Sequence, residues 1–297
     1  MNILVIGGTG LVGSHVVQGL VAKGEQVHIL TRSADKADGF PLGASGIIGD
    51  LHKPETLRWA MRGIDRVFLV TPLSSTETEE GLAVVAAANR AGVRHLVYLS
   101  VYHVELAPHI PHFKSKMAIQ RALRDSGMAF TVIMANNFFQ NDLLYRESIL
   151  KEGIYPQPIG DIGLNRVDVR DIADAVVSTL TQTGHEFHCY PLIGAEVLSG
   201  QDVADIYTRT LGREIRYGGN DLNVWGGKAT HTLPDWLVTD LRLMYEFFQH
   251  HGLRASDVDF ALQAKVLGHL PRCFHTFVRE TVATWMPDGH CEYAKVG

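Results

Sequence analysis

Short unbroken apolar runs alternate along this chain with stretches whose apolar positions recur every three or four residues. ILVIG (3–7) is such a run, and LVGSHVVQGLVAKG after it has helical periodicity closed by Gly24. The couple then repeats. QVHIL is followed by GIIG, by a helix from about Pro54 to Met61, and by RVFLV. A long alanine-rich helix ends at Gly92, HLVYLS follows, a helix opens in HFKSK and closes in RDSG, and AFTVIM comes next. The strand runs lack polar alternation, so each expects cover on both faces. Strands separated by helices predict a doubly wound parallel α/β sheet.

From about residue 152 the rhythm changes. GIYPQPIGDIG reads as a loop or short hairpin, whereas DVRDIADAVVSTL reads as a capped helix returning to the main body and EFHCYPLIG as a further strand. LSGQDVADIYTRTLG predicts a helix with Ser199 or Gly200 near its start and Gly212 at its end. The tail from Asn220 is mostly helical and aromatic, with Trp225, Trp236, Tyr245, Phe247 and Phe248. The expected division is a larger domain over 1–151, with 166–193 returning to it, and a smaller, mostly helical lobe from 152–165 and 194–297.

Composition excludes some partners. At 297 residues the chain is long enough for one or two domains. Its formal charge of -5 argues against a nucleic acid partner, which wants a basic face. The longest apolar run, in GLAVVAAANRAGV, falls short of the roughly 20 residues that span a bilayer, so no membrane partner is expected. MNILVIGG begins a strand at once, without the pattern of a leader. Cys189, Cys273 and Cys291 are odd in number and scattered, as free thiols are. The expectation is a cytoplasmic protein, monomer or homodimer, with a small-molecule substrate.

VIGGTGLVG sets Gly7, Gly10 and Gly13 between the first strand and the first helix. Glycine allows the tight turn, close approach to a pyrophosphate and close helix–strand packing. Thr9 sits in the turn, and Leu11 and Val12 open the helix whose unpaired N–H groups face the phosphates. This is the Rossmann pattern of dinucleotide binding. The second strand ends in Thr31, Arg32 and Ser33 with no carboxylate at its tip, which favours NADP(H) over NAD(H). Asp50 follows the third strand; its carboxylate suits the adenine amino group, or else a turn or helix cap.

GGTGLVG, the TR after the second strand, GDL (Asp50, Leu51), TP (Thr71, Pro72) and HFKSKMAIQRALRDSGMAFTVI with NNFFQN together resemble the NmrA-like branch of the atypical short-chain dehydrogenases/reductases. That branch includes benzylic ether, pinoresinol–lariciresinol, isoflavone, triphenylmethane and quinone reductases, and NADP-sensing regulators. The resemblance covers nearly the whole chain and is specific for fold and cofactor, weak for substrate. It implies that Lys116 is the active-site lysine, that Ser100 lies near the carbonyl-polarising serine, and that Asn136 and Phe138 border the nicotinamide site. His112 stands where ordinary short-chain dehydrogenases carry tyrosine. Met134-Ala135 replaces the Arg-Pro of many relatives, and Gln120 replaces their glutamate.

The residues support the same centre without the family. His112, Lys116, Ile119, Ala122, Leu123 and Ser126 form one helical stripe, whose apolar second half marks the buried side. The polar first turn continues it inward, at the sheet's carboxyl end, where open α/β sheets bind ligands. Lys116 as an ammonium can hold ribose hydroxyls and stabilise developing negative charge, and His112 can donate a proton or simply satisfy a helix start. Tyr102 and His103 are rival donors. The histidine-rich HEFHC and QHHG lack a second ligand pair at zinc spacing, so no metal is expected. STETEEG (75–81) reads as a solvated helix start rich in acids. Two functions emerge: an NADPH-dependent oxidoreductase passing hydride to an apolar or aromatic carbonyl or quinone held beside the aromatic lobe, or a silent NADP(H)-sensing regulator that binds a protein partner. Isomerase or epimerase use of a bound cofactor is a third.

Overall fold

The computed structural model describes residues 1–33, 40 and 42–286; Cys291 lies outside them. The apolar runs become strands β1 (Asn2–Ile6), β2 (Gln26–Thr31), β3 (Ala44–Ile48), β4 (Arg66–Leu69), β5 (His95–Val101) and β6 (Phe130–Ala135). Short β7 (Ile154–Tyr155), β8 (His188–Leu192) and β9 (Arg216–Tyr217) follow. Interleaved with them are helices α1 (Leu11–Ala22), α2 (Pro54–Ala60), α3 (Glu77–Ala91), α4 (Pro111–Asp125), α5 (Val169–Thr181) and α6 (Gly200–Leu211). The later helices are α7 (Leu222–Ala229), α8 (Asp235–His251), α9 (Asp257–Leu267) and α10 (Phe274–Trp285).

Seven strands form one sheet in the order β3-β2-β1-β4-β5-β6-β8, and every neighbouring pair is parallel. The direction of strand addition reverses at β1, between β2 and β4. Leu4, Ile6, Val67, Leu69 and Tyr98 face a core closed by Leu57 of α2, Val84 and Ala88 of α3, and Ile119 and Leu123 of α4. Ile3, Val5, Phe68 and Val97 alternate to the opposite face, which α1 and α5 cover. Both faces are therefore buried, as the unalternating strands require.

The chain divides into two units. The first contains Met1–Ala135, Val169–Leu192 and Val258–His269; the second contains Asn136–Asp168, Ile193–Asp257 and the residues from Leu270 on. In the second unit α6 begins with Ser199 as its cap. The Ser199 hydroxyl accepts the Asp202 N–H and the Asp202 carboxylate accepts the Ser199 N–H, so two orphan donors are satisfied reciprocally. The stretch expected as a loop or short hairpin holds β7 instead, paired in parallel with β9. Parallel pairing needs a crossover, and here the intervening chain includes α6.

Candidate functional site

In a parallel sheet every strand ends on the same edge, and the helix after it begins there. Strand order therefore ranks the candidate residues along one line. Asp50 follows β3, Arg32 follows β2, the glycine loop follows β1, Thr71 follows β4, and Lys116 lies on the helix after β5. The loop sits at the reversal point, where an open sheet leaves a crevice.

The loop is built for close approach. Gly7 has φ +83°, and a Cβ at Gly13 would stand 2.1 Å from the Gly7 carbonyl oxygen, so the start of α1 lies directly on the turn. Gly10 is the N-cap of α1 and brings no capping side chain. The first-turn N–H groups thus have no local side-chain acceptor, beside an exposed Thr9 and a Leu11 that is 45% exposed. Val12 differs: its side chain is in the core, so only its backbone can face a ligand. Open N–H groups in a cradle a single Cβ would fill fit the pyrophosphate of a dinucleotide.

Toward β3, Thr31 is buried and exchanges hydrogen bonds with the backbone of Ser33, leaving Arg32 exposed. Arg32 makes no ion pair with any described residue. The Asp50 carboxylate accepts the His52 N–H at 3.1 Å, and the Asp50 N–H donates to Thr56 at 2.9 Å. Asp50 is thus a turn aspartate rather than the cap of α2, which is Lys53. Leu51 packs on the core.

At the other end stands a compact polar ring. The Lys116 ammonium lies 2.6 Å from Glu77 Oε1 and donates to Thr71 Oγ1 at 2.9 Å. The Thr71 hydroxyl donates to the same Glu77 oxygen at 2.6 Å. Pro72, next in sequence, is exposed. Tyr98 walls the ring, its centroid 5.6 Å from the ammonium. Burial, with the Glu77 charge, pushes the Tyr98 phenol well above its ordinary pKa and keeps it neutral.

STETEEG is therefore not a solvated helix start. Glu77 is 1% exposed and Glu80 is buried, the latter taking hydrogen bonds from Ser74 and Thr76 and facing His52 at 3.0 Å. Both acids lie on the inward face of α3 because Glu77, Glu80, Gly81, Val84, Val85 and Ala88 share one helical stripe. Extending the apolar stripe back to the first turn would have found them.

On α4 the inward stripe has His112, Ile119 and Leu123 buried, with Phe113 and Gln120 beside them. His112 is the second residue of the helix, its ring edge-on to Phe113 at 4.7 Å. Ser100 is buried and accepts from Gln120 Nε2 at 2.8 Å, so its hydroxyl faces the third turn of α4. The Tyr102 hydroxyl is committed to Asp259 at 2.8 Å, and burial raises its pKa further, a poor setting for a proton donor. His103 pairs with Glu105.

In the second unit, Asn136 is buried and spends its amide internally, donating to the Leu253 carbonyl at 2.8 Å and accepting from Asn137 N–H at 2.7 Å. The Phe138 carbonyl accepts from Arg166 Nη2 at 2.8 Å. Arg166, fully buried, also pairs with Asp142 at 2.7 Å and donates to Asn137. Nothing in the sequence pattern marks this pair, since its two members stand 24 positions apart.

The fold and the glycine cradle define a dinucleotide-binding protein of the open α/β type. The family model for the NmrA-like family matches residues 1–277. An NAD(P)H azoreductase from Xenophilus azovorans is 38% identical over 220 residues, 72% of this chain and 76% of that one. A (4-alkanoyl-5-oxo-2,5-dihydrofuran-3-yl)methyl phosphate reductase from Streptomyces griseus is 36% identical over 217 residues, with the same shares covered. The NADPH complex of an NADPH-dependent quinone oxidoreductase from Escherichia coli superposes with a TM-score of 0.86 at 22% identity, covering 94% of this chain and 99% of that one. The chain belongs to the NmrA-like family.

Proposed function

We propose that this protein is an NADPH-dependent oxidoreductase that passes hydride to a small apolar or aromatic acceptor of the carbonyl, quinone or azo class. The observation that carries the reading is the order of groups along one sheet edge. It runs from the β3 and β2 tips, suited to adenosine, through the glycine cradle to a half-buried lysine after β5. The azoreductase at 38% identity supports the redox class and extends the acceptor to azo compounds.

The first-turn N–H groups of α1 hold the pyrophosphate, and Arg32 takes the extra phosphate that distinguishes NADPH from NADH. The bound cofactor supplies the hydride. Lys116 places a fixed positive charge where negative charge grows on the acceptor, a stabilisation worth most in a water-poor site. His112, one turn earlier on the same helix, stands where a proton can be handed on.

Titration with NADPH and NADH, followed by NADPH oxidation against quinones, azo dyes and aldehydes, tests this. We expect turnover with at least one acceptor, and a loss of about a hundredfold or more in kcat/KM in Lys116→Ala. Tight NADPH binding with no oxidation by any acceptor would replace the enzyme with an NADP(H)-sensing regulator. Unchanged turnover in Lys116→Ala would remove the lysine from the reaction.

A further inference from the structure

Three contacts register the seam between α3 and α4. Thr78 Oγ1 donates to Ser115 at 2.9 Å, Glu77 meets Lys116 at 2.6 Å, and one turn later Gly81 lies against Ile119. A Cβ at Gly81 would stand 2.2 Å from Ile119 Cδ1, so any larger residue here would have to displace the Ile119 side chain. That approach brings the Glu77 carboxylate within reach of the ammonium.

Stability alone is a poor reason for the pair. A buried ion pair can commonly be replaced by well-packed apolar residues without loss. Glu77 Oε2 is moreover buried with no hydrogen-bond partner, which adds a cost. The directions of the hydrogen bonds suggest another reason. An ammonium has three N–H donors and no acceptor. The Thr71 proton is given to Glu77, so Thr71 can only accept from Lys116. Thr71 therefore takes one of the three donors, and the Glu77 carboxylate, 2.6 Å away, holds the ammonium by charge from a second side.

We propose that Glu77 is a positioning residue: with Thr71 it fixes the Lys116 ammonium in one place, so that its remaining N–H groups are aimed at the ligand. A flexible point charge becomes a directed donor. The ligand atom is an oxygen or nitrogen acceptor, either a ribose hydroxyl of the dinucleotide or the acceptor atom that gains charge as hydride arrives. That identity rests on the reductase reading; the contacts that hold the ammonium do not.

The test compares Glu77→Asp with Glu77→Gln. Asp keeps the charge but draws the carboxylate back by roughly 1.5 Å. Gln loses the charge but keeps an oxygen acceptor at the original reach. Amines are labelled with acetic anhydride at one fixed pH and read by peptide mass spectrometry, with exposed Lys114 on the same helix as reference. In Glu77→Asp, labelling of Lys116 relative to Lys114 is expected to rise severalfold, and kcat to fall about tenfold or more with the acceptor KM little changed. Glu77→Gln is expected to show the smaller change in both. The reverse ranking, or labelling unchanged in both variants, overturns the proposal. Should either variant fail to fold, Thr71→Val removes the second acceptor and is expected to release Lys116 in the same assay; unchanged labelling there also overturns it. If the wild-type protein oxidises NADPH with no acceptor, the reductase reading fails by itself, while the labelling still decides the role of Glu77.

Discussion

Acidification is expected to weaken this fold through one imidazole at the amino-terminal end of β5. His95 is 2% exposed, and its Nε2 lies 2.9 Å from Thr131 Oγ1. The Thr131 hydroxyl donates to the His185 carbonyl at 2.6 Å, so Nε2 must be the protonated nitrogen of His95. Nδ1 is then a bare acceptor, buried with no partner. A second proton would put an N–H and a charge where nothing receives them. Burial above all, with nearby Arg66 adding to it, lowers the His95 pKa from 6.5 to about 4. Between those two values the unfolded chain binds the proton and the folded one does not. The stability contribution is therefore complete above pH 6.5, falls as pH drops through 6.5, and stops falling below about 4. The loss from His95 alone is about 2 kcal/mol at pH 5 and about 3 kcal/mol at its limit. His185, whose pKa burial also lowers, acts in the same direction. Urea unfolding at pH 7.5 and 5.0 measures the effect, with His95→Gln as the non-titrating comparison. The wild type should lose about 2 kcal/mol more than the variant across that interval. An equal loss in both would refute the reasoning.

The phosphate-selecting role of Arg32 predicts that Arg32→Ala weakens NADPH binding by about 1.5–3 kcal/mol, tenfold or more, and leaves NADH binding nearly unchanged; equal binding of the two cofactors by the wild type would refute it. In the second unit, Asp142→Asn leaves the buried Arg166 guanidinium without its counter-charge. Urea unfolding should show a loss of about 3–5 kcal/mol, and a loss below about 1 kcal/mol would show the guanidinium satisfied by Asn137, Phe138 and Tyr155 alone.

Elements whose signal is local could be read directly from the sequence. The apolar strands, the helix closed by Gly92, the Ser199 cap and the inward turn of Lys116 all follow from residues within one or two turns of each other. The pairing of β7 and the partner of Glu77 depend on residues distant in sequence. β7 is two residues long, and β9, which completes it, comes only after α6. Glu77 looks like any acid that favours a helix start, because the charge that neutralises it lies on a different helix. The Lys116 stripe was legible because apolar residues surround it; the same rule applied to α3 would have placed Glu77 inside.

The strand order also shapes how this chain is made. When Ala135 leaves the ribosome, six strands of the sheet exist, but β6 (FTVIMA) has no neighbour on its outer side. That neighbour is β8, made only after the intervening segment and α5, several seconds later at about 5–20 residues per second. Throughout that interval the newborn sheet carries an open, apolar edge, the kind of template that pairs with foreign strands. Closure of that side of the sheet therefore waits on β8, the last of its seven strands to be made.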